Sequence, residues 1–245
     1  MDSKAAIHTE YGKKLTVDTI QLPDPRPDQV IVKLHSSGIC HSQLHQMHKP
    51  ESPTPSLLGH EGTGTVIAKG SEVNHLEEGD LAIVTWVNRD PVKGRPTYPS
   101  SGATYNEAPL NGATYTWGEH VLVRSGYVVK IPKTSDKYNS SIVGCAVLTG
   151  AGAVLHTAKV RPQDSVAIFG VGGVGLSALI MARILEAFPI IAVDISDEKL
   201  EFAKKFGATH LINSLKEDPI EAIHEITSGG SDFSFDTVGL RITNE

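Results

Sequence analysis

SVAIFGVGGVG, residues 165–175, decides the fold of this chain. Residues 165–169 form a short apolar run that reads as a strand, Gly170-Val171-Gly172-Gly173-Val174-Gly175 interrupts it, and apolar side chains recur at helical spacing over residues 173–187. The GxGxxG spacing alone is a weak signal, because glycine-rich turns are common. Its context is stronger: it leaves a strand, opens a helix, and is followed by a second apolar run, residues 190–194, that ends in Asp194, 19 residues beyond Gly175. In such a unit Gly170 permits the tight turn. Gly172 lets the backbone approach a pyrophosphate, and Gly175 lets the helix pack close to the strand. The N–H groups at the helix start, from Gly173 onward, then face negative charge. Asp194 stands where a carboxylate accepts from an adenosine ribose. It would repel a 2'-phosphate, so NAD is expected over NADP. The competing reading is a packing turn without ligand, with Asp194 capping the next helix alongside Ser196 and Asp197.

The pattern continues outward on the C-terminal side. Helical spacing over residues 197–206 stops at Gly207, a strand follows at 210–213, a helix at 219–227 is closed by Gly229 and Gly230, and a strand is expected at 233–238. Alternation of this kind predicts a parallel sheet covered by helices, the doubly wound Rossmann arrangement. Four strands can be counted where the full dinucleotide fold has six, so the sheet is expected to be incomplete.

On the N-terminal side the first 135 or so residues read as strands and turns. Val30-Ile31-Val32-Lys33-Leu34-His35 alternates, and β-type runs lie at 64–68, 81–87 and 119–123. Residues 89–116 are polar and rich in Gly, Pro, Thr and Tyr, with SGATY and NGATY ten residues apart, and are expected to form a long lobe or lid. The domain boundary is placed within the helical-looking run 140–157, giving a β-rich domain over 1–150 and a partial nucleotide domain over 151–245.

Composition sets the outer bounds. A chain of 245 residues with 40% hydrophobic and 20% charged residues is globular. A net charge of -6 leaves no basic footprint, which excludes nucleic acid as the expected partner. Two cysteines exclude a disulfide scaffold. The N-terminus lacks the apolar core of a signal peptide, and the most apolar long window, 177–193, contains Arg183 and Glu186, so a cytoplasmic protein with no membrane span is expected.

Both cysteines have suggestive neighbours. Cys40 lies in GICHS after a strand, Cys145 lies just before the nucleotide domain, and His60 sits on a glycine-rich turn. Two thiolates and an imidazole, with the fourth position open, make a catalytic zinc set. Ligands so far apart carry no local motif, and taken singly Cys145 reads equally as a small buried hydrophobe.

GICHS, GHEGTGTV, the Gly79-Asp80 turn, GCAVLTGAG and GVGGVG occur in an order that resembles the zinc-dependent alcohol dehydrogenases of the medium-chain dehydrogenase/reductase family, over the whole chain. The resemblance implies a GroES-like β domain followed by a Rossmann domain, with catalysis of NAD-linked hydride transfer between small alcohols and aldehydes or ketones. It implies that Cys40, His60 and Cys145 hold the catalytic zinc, with Glu61 as a supporting or alternate ligand. Ser42 matches the hydroxyl that takes the substrate proton, and His45 matches the histidine that relays it. His41 matches a residue at the pyrophosphate, Thr149 and Val174 match residues beside the nicotinamide, and Lys199 matches a lysine near the ribose. Trp86 falls where an aromatic wall of the alcohol pocket is expected; a core tryptophan is the competing reading. A homo-oligomer is implied for the full-length parent.

Three departures qualify the match. Gln43 replaces an acidic residue found in many members three positions after the first ligand, where it supports the zinc-bound histidine. No cysteine lies between Cys40 and Cys145, so a four-cysteine structural zinc is not expected. The family continues beyond the point where this chain stops, by some 60 residues for the two outstanding strand-helix units alone. Two other readings therefore stand beside the dehydrogenase: a catalytically inactive fragment of such an enzyme, and a zinc-free or non-catalytic nucleotide-binding relative.

Overall fold

Strands at the N-terminus owe their faces to alternation that is only partly apolar. In the computed structural model, which describes residues 1–89, 101–112 and 114–243, β1 (Asp2–His8) buries Ser3, Ala5 and Ile7 on one face. The following elements are β2 (Thr16–Gln21), β3 (Gln29–Ser37), helix α1 (His41–Met47), β4 (Ser56–Leu57), β5 (Gly62–Lys69), β6 (Leu81–Val84), β7 (Thr104–Tyr105), β8 (Ala108–Pro109), β9 (His120–Arg124) and β10 (Val128–Lys130). Among the described residues they make two sheets, ordered β4-β1-β2-β7-β8 and β10-β6-β5-β3-β9. Ile7, Ile20, Leu22, Val30, Val32, Val66, Leu76, Val84, Leu122 and Tyr115 fill the core of this unit, which runs from Met1 to Cys145. At the Gly79-Asp80 turn, the Asp80 carboxylate accepts from the Glu77 N–H and pairs with Lys130 at 2.8 Å. That ammonium holds the carboxyl below its usual range.

Much of the expected lobe is tied down. Within 101–116 the β7-β8 hairpin extends the first sheet through Gln21 and Thr104, and Ala103, Leu110 and Tyr115 are buried. Residues 90–100 and 113 of that segment lie outside the described residues.

The second unit, Ala146–Glu245, follows the alternating pattern. It contains α2 (Ala146–Gly152), a π-helical extension (Ala153–Ala158), β11 (Val166–Phe169), α3 (Gly173–Ile184), β12 (Ile190–Asp194), α4 (Asp197–Lys204), β13 (His210–Asn213), α5 (Pro219–Thr227) and β14 (Phe233–Asp236). The helical-looking run 140–157 is thus divided, with a 3-10 segment (Asn139–Gly144) ending at Cys145, whose φ of -142° and ψ of -71° break the spiral.

The strands pair in parallel in the order β13-β12-β11-β14. The two central strands, β11 and β12, are buried on both faces, as inner parallel strands are, while β14 at one edge alternates, with Ser234 and Asp236 exposed. Val166, Ile168, Ile190 and Ala192 face Ala178, Leu179 and Ala182 of α3 and Leu200 and Ala203 of α4. Ala167, Ile191, Val193 and Ile212 gather with Ile223 of α5 on the other side. Helix ends follow local chemistry. The Ser196 hydroxyl caps α4 by accepting from the Lys199 N–H, and the Asp218 carboxylate caps α5 by accepting from Ile220 and Glu221. Strand order reverses between β11 and β14, which opens a crevice at their C-terminal ends. There the Thr237 hydroxyl lies 3.0 Å from the Phe169 carbonyl and 2.7 Å from that of Gly170.

Candidate metal centre and nucleotide turn

Three neighbouring strands bring the metal candidates together. Ser37 at the end of β3 pairs with Gly62 at the start of β5, and Gly62 pairs with Val84 at the end of β6, so these positions form one row across the sheet. Cys40 lies just past β3 as the N-cap of α1, His60 lies just before β5, and Cys145 is anchored beside β6 because the Thr85 hydroxyl donates to the Gly144 carbonyl at 2.6 Å. Residues separated by up to 105 positions therefore meet at one sheet end. The ligand atoms of Cys40, His60 and Cys145 all lie within 4.8 Å of one another, and among the described residues no other such group of three occurs.

The donor set fits zinc. Two sulfurs and an imidazole nitrogen match its preference, and three protein ligands leave a fourth position. The electrostatics point the same way. Burial pushes the Cys145 thiol up to about 12, with the Cys40 and Glu61 charges adding to it and a hydrogen bond from Trp86 opposing it. A sulfur placed, like that of Cys145, where its thiolate is unfavourable without a compensating cation is suited to a metal ion, whose charge reverses that balance. Burial also lowers the His60 pKa, which keeps the imidazole neutral and able to ligate.

Around this group each further candidate has a definite place. The Glu61 side chain is buried behind Gly38, where a Cβ would come within 2.6 Å of its carboxylate, and it stands outside the three-ligand group. Ser42 donates its hydroxyl to Cys40 Sγ at 3.4 Å. His41 and His45 are exposed one turn apart on α1 with ring centroids 4.9 Å apart, and no hydrogen bond joins Ser42 to His45 among the described residues. Trp86 is 39% exposed beside the Cys145 sulfur, which is not the setting of a core tryptophan.

Periodicity could not have revealed α1, nor the part played by its Gln43. That buried amide receives the Cys40 N–H on Oε1 at 2.9 Å, while its Nε2 lies 2.6 Å from His60 Nδ1. The signal available in the sequence was its place three residues into a helix, the position of a capping-box glutamine.

In the second unit the three glycines have distinct surroundings. Gly170 has φ of +86°, a left-handed turn. A Cβ on Gly175 would lie 1.9 Å from the Gly170 carbonyl oxygen, so this helix turn can pack there only without a side chain. A Cβ on Gly172 would meet nothing within 4 Å, and both Gly172 and Gly173 are exposed. The N–H groups of Gly173 and Val174 have no acceptor among the described residues, as expected for the first turn of a helix open to an anion. Asp194 ends β12 with Oδ2 accepting from the Val171 N–H and Oδ1 from the Ser196 N–H, both at 3.0 Å. The cap of α4 is Ser196, so Asp194 is not the capping residue of that helix. Lys199 is exposed in the first turn of α4. Thr149 is exposed on α2 next to Gly150, where a Cβ would come within 2.1 Å of the Val174 carbonyl oxygen, so close packing of α2 on α3 brings Thr149 and Val174 into one neighbourhood.

Comparison with known proteins agrees with both halves. Residues 26–133 match the alcohol dehydrogenase GroES-like domain, and residues 173–245 match the zinc-binding dehydrogenase domain. S-(hydroxymethyl)glutathione dehydrogenase of Synechocystis sp. is 35% identical over 98% of this chain and 72% of its own length. Alcohol dehydrogenase-like 7 of Arabidopsis thaliana is 31% identical over 96% of this chain and 68% of its own. Among solved structures, benzyl alcohol dehydrogenase from Acinetobacter calcoaceticus superposes with a TM-score of 0.90 at 33% identity, covering all of this chain and 72% of that one. An alcohol dehydrogenase zinc-binding domain protein from Burkholderia ambifaria gives a TM-score of 0.93 at 32% identity with the same coverage. With a sulfur and nitrogen donor set at one sheet end and a glycine turn opening a Rossmann helix, the chain belongs to the zinc-dependent alcohol dehydrogenases of the medium-chain dehydrogenase/reductase family.

Proposed function

We propose that Cys40, His60 and Cys145 hold one catalytic zinc, that the turn Gly170–Gly175 with Asp194 holds the adenosine half of NAD, and that the pair serves oxidation of a small alcohol to its carbonyl compound. The observation that carries this reading is the convergence of the two sulfurs and the imidazole within 4.8 Å. Bound there, zinc would supply Lewis acidity that lowers the alcohol's pKa.

The chain's own residues supply the rest. Ser42, hydrogen-bonded to a metal ligand, is placed to accept the alcohol proton, and His45 on the exposed side of the same helix to pass it to solvent. The free N–H groups of Gly173 and Val174 bind pyrophosphate. Asp194 and Lys199 select the ribose, and Thr149 and Val174 flank the nicotinamide. Glu61 waits as an alternate ligand. Trp86, exposed at the metal group, gives the substrate an aromatic wall, and the name of the Acinetobacter relative supports an aromatic or otherwise apolar primary alcohol.

Among the described residues no helix is long and apolar enough to cross a membrane, and we place the protein in the cytoplasm, as a homo-oligomer in its full-length form. A second reading is nucleotide binding without turnover by these 245 residues by themselves. It rests on β14, which has β11 on one side and no described strand on the other at the crevice where the nicotinamide would lie. One experiment separates the two: the zinc-loaded chain is given NAD and a panel of primary, secondary and aromatic alcohols while NADH is followed. NADH formation that disappears in Cys145→Ala supports the dehydrogenase, and NAD binding without NADH supports the second reading.

A further inference from the structure

Gln43 sits between the Cys40 backbone N–H and the His60 ring. The Cys40 N–H needs an acceptor, and its partner is Gln43 Oε1 at 2.9 Å. The other end of the amide, Nε2, carries only N–H groups and lies 2.6 Å from His60 Nδ1 and 3.5 Å from Ser42 Oγ. A hydrogen bond at 2.6 Å between Nε2 and Nδ1 requires Nδ1 to accept, so the ring proton must sit on Nε2. That nitrogen faces the metal group, 3.2 Å from Cys145 Sγ, and its N–H then donates to the sulfur. With the ring proton on Nε2, both ends of the Gln43 amide and both His60 nitrogens are hydrogen-bonded.

A neutral imidazole that ligates through Nε2 has the opposite tautomer, with its proton on Nδ1. The Nδ1–H would then point at the Gln43 amide hydrogens. Turning the amide over relieves His60 but sets Nε2 against the Cys40 N–H, so one part-buried N–H, of His60 or of Cys40, loses its Gln43 acceptor in either orientation. A carboxylate at this position has two acceptor oxygens and serves both donors at once.

On the zinc-site reading above, we propose that Gln43 is a positioning residue that weakens the hold of this site on zinc by favouring the His60 tautomer that cannot ligate. It acts through His60 and touches neither metal nor substrate. The test uses the 245-residue chain, stripped of metal and titrated with zinc against a chromophoric chelator, as wild type and as Gln43→Glu. Gln43→Glu is expected to bind zinc about 10 to 100-fold more tightly, the usual reach of a residue behind a metal-bound histidine. Equal or weaker binding by a Gln43→Glu protein that retains its circular dichroism overturns the role of Gln43 while leaving the three-ligand site standing. Failure of both proteins to take up one zinc overturns the site itself and the proposal with it. A second measurement needs no variant: two-bond proton-nitrogen correlation spectra of metal-free wild type should show His60 protonated on Nε2. A proton found on Nδ1 overturns the proposal.

Discussion

Asp194 Oδ2 accepts the Val171 backbone N–H at 3.0 Å, so the carboxylate at the end of one strand holds in place the glycine turn at the end of its neighbour. The same side chain is therefore both the expected ribose acceptor and a strut of the phosphate turn, and substitutions must be chosen to separate the two roles.

Asp194→Asn keeps an acceptor oxygen for Val171, gives up the one that accepts from the Ser196 N–H, and removes the negative charge. It should reduce the preference for NAD over NADP mainly by admitting the 2'-phosphate. Asp194→Ala removes the strut as well and should weaken both cofactors, by about 1.5 to 3 kcal/mol for loss of charge-assisted hydrogen bonds. Calorimetric titration with NAD and NADP checks this; tighter NADP than NAD binding by the wild type would remove the selectivity role.

Gly172 and Gly175 should respond differently to alanine. Gly175→Ala places a methyl 1.9 Å from the Gly170 carbonyl oxygen and should destabilise the second unit by about 3 kcal/mol. Gly172→Ala meets nothing within 4 Å, so stability should change by less than about 0.5 kcal/mol. NAD affinity should nevertheless fall about tenfold, because the methyl occupies the space the pyrophosphate needs. Urea melts and NAD titrations on both variants decide it, and unchanged NAD affinity in Gly172→Ala would place the pyrophosphate elsewhere.

One zinc per chain is expected. Cys145→Ala should remove it and abolish turnover, while leaving the fold intact, since the buried thiol is replaced by a smaller apolar group. Elemental analysis after zinc loading is the measurement, and two zinc ions in the wild type would contradict the ligand count.

Tyr115 carries a pH dependence. Burial raises its phenol pKa well above the usual value, with the Leu122 N–H and Ser101 pulling it down only in part. An acid whose folded pKa is raised contributes stability that is complete below the unfolded value, about 10, and is lost as pH rises from there toward the folded pKa. Tyr115→Phe leaves the buried Leu122 N–H without its 3.1 Å acceptor and should lose about 1 to 3 kcal/mol near pH 7. Since phenylalanine cannot ionise, the gap between variant and wild type should narrow above about pH 10. A gap that stays constant between about pH 7 and pH 11 in denaturant melts would argue against it.

The nucleotide half was legible because its central strands β11 and β12 are near-continuous apolar runs, and its helices are bounded by Ser196, Gly207, Asp218 and the 228–230 turn. The β half was less so. In α1 the buried residue is Gln43, while Leu44 is 43% exposed, so no apolar stripe marks the helix. In β1 the buried row includes Ser3 and Ala5, which register weakly as hydrophobic. The lobe is held by Ala103, Leu110 and Tyr115, whose spacing fits neither helix nor strand period. The ligand trio could be nominated residue by residue, but its convergence depends on the Ser37, Gly62 and Val84 register, which no local pattern encodes.

The Thr237 hydroxyl against the Phe169 and Gly170 carbonyls closes a turn that β12 also braces through Asp194. Residues from three stretches, 169–171, 194 and 237, must therefore be in place before the phosphate cradle exists, and a peptide excised as strand, turn and helix would not hold its shape. Cradle formation is an outcome of folding the sheet. By mass action a nucleotide that binds this cradle, and not the unfolded chain, raises the melting temperature of the whole second unit, so thermal shift with NAD reports assembly of the sheet as well as occupancy.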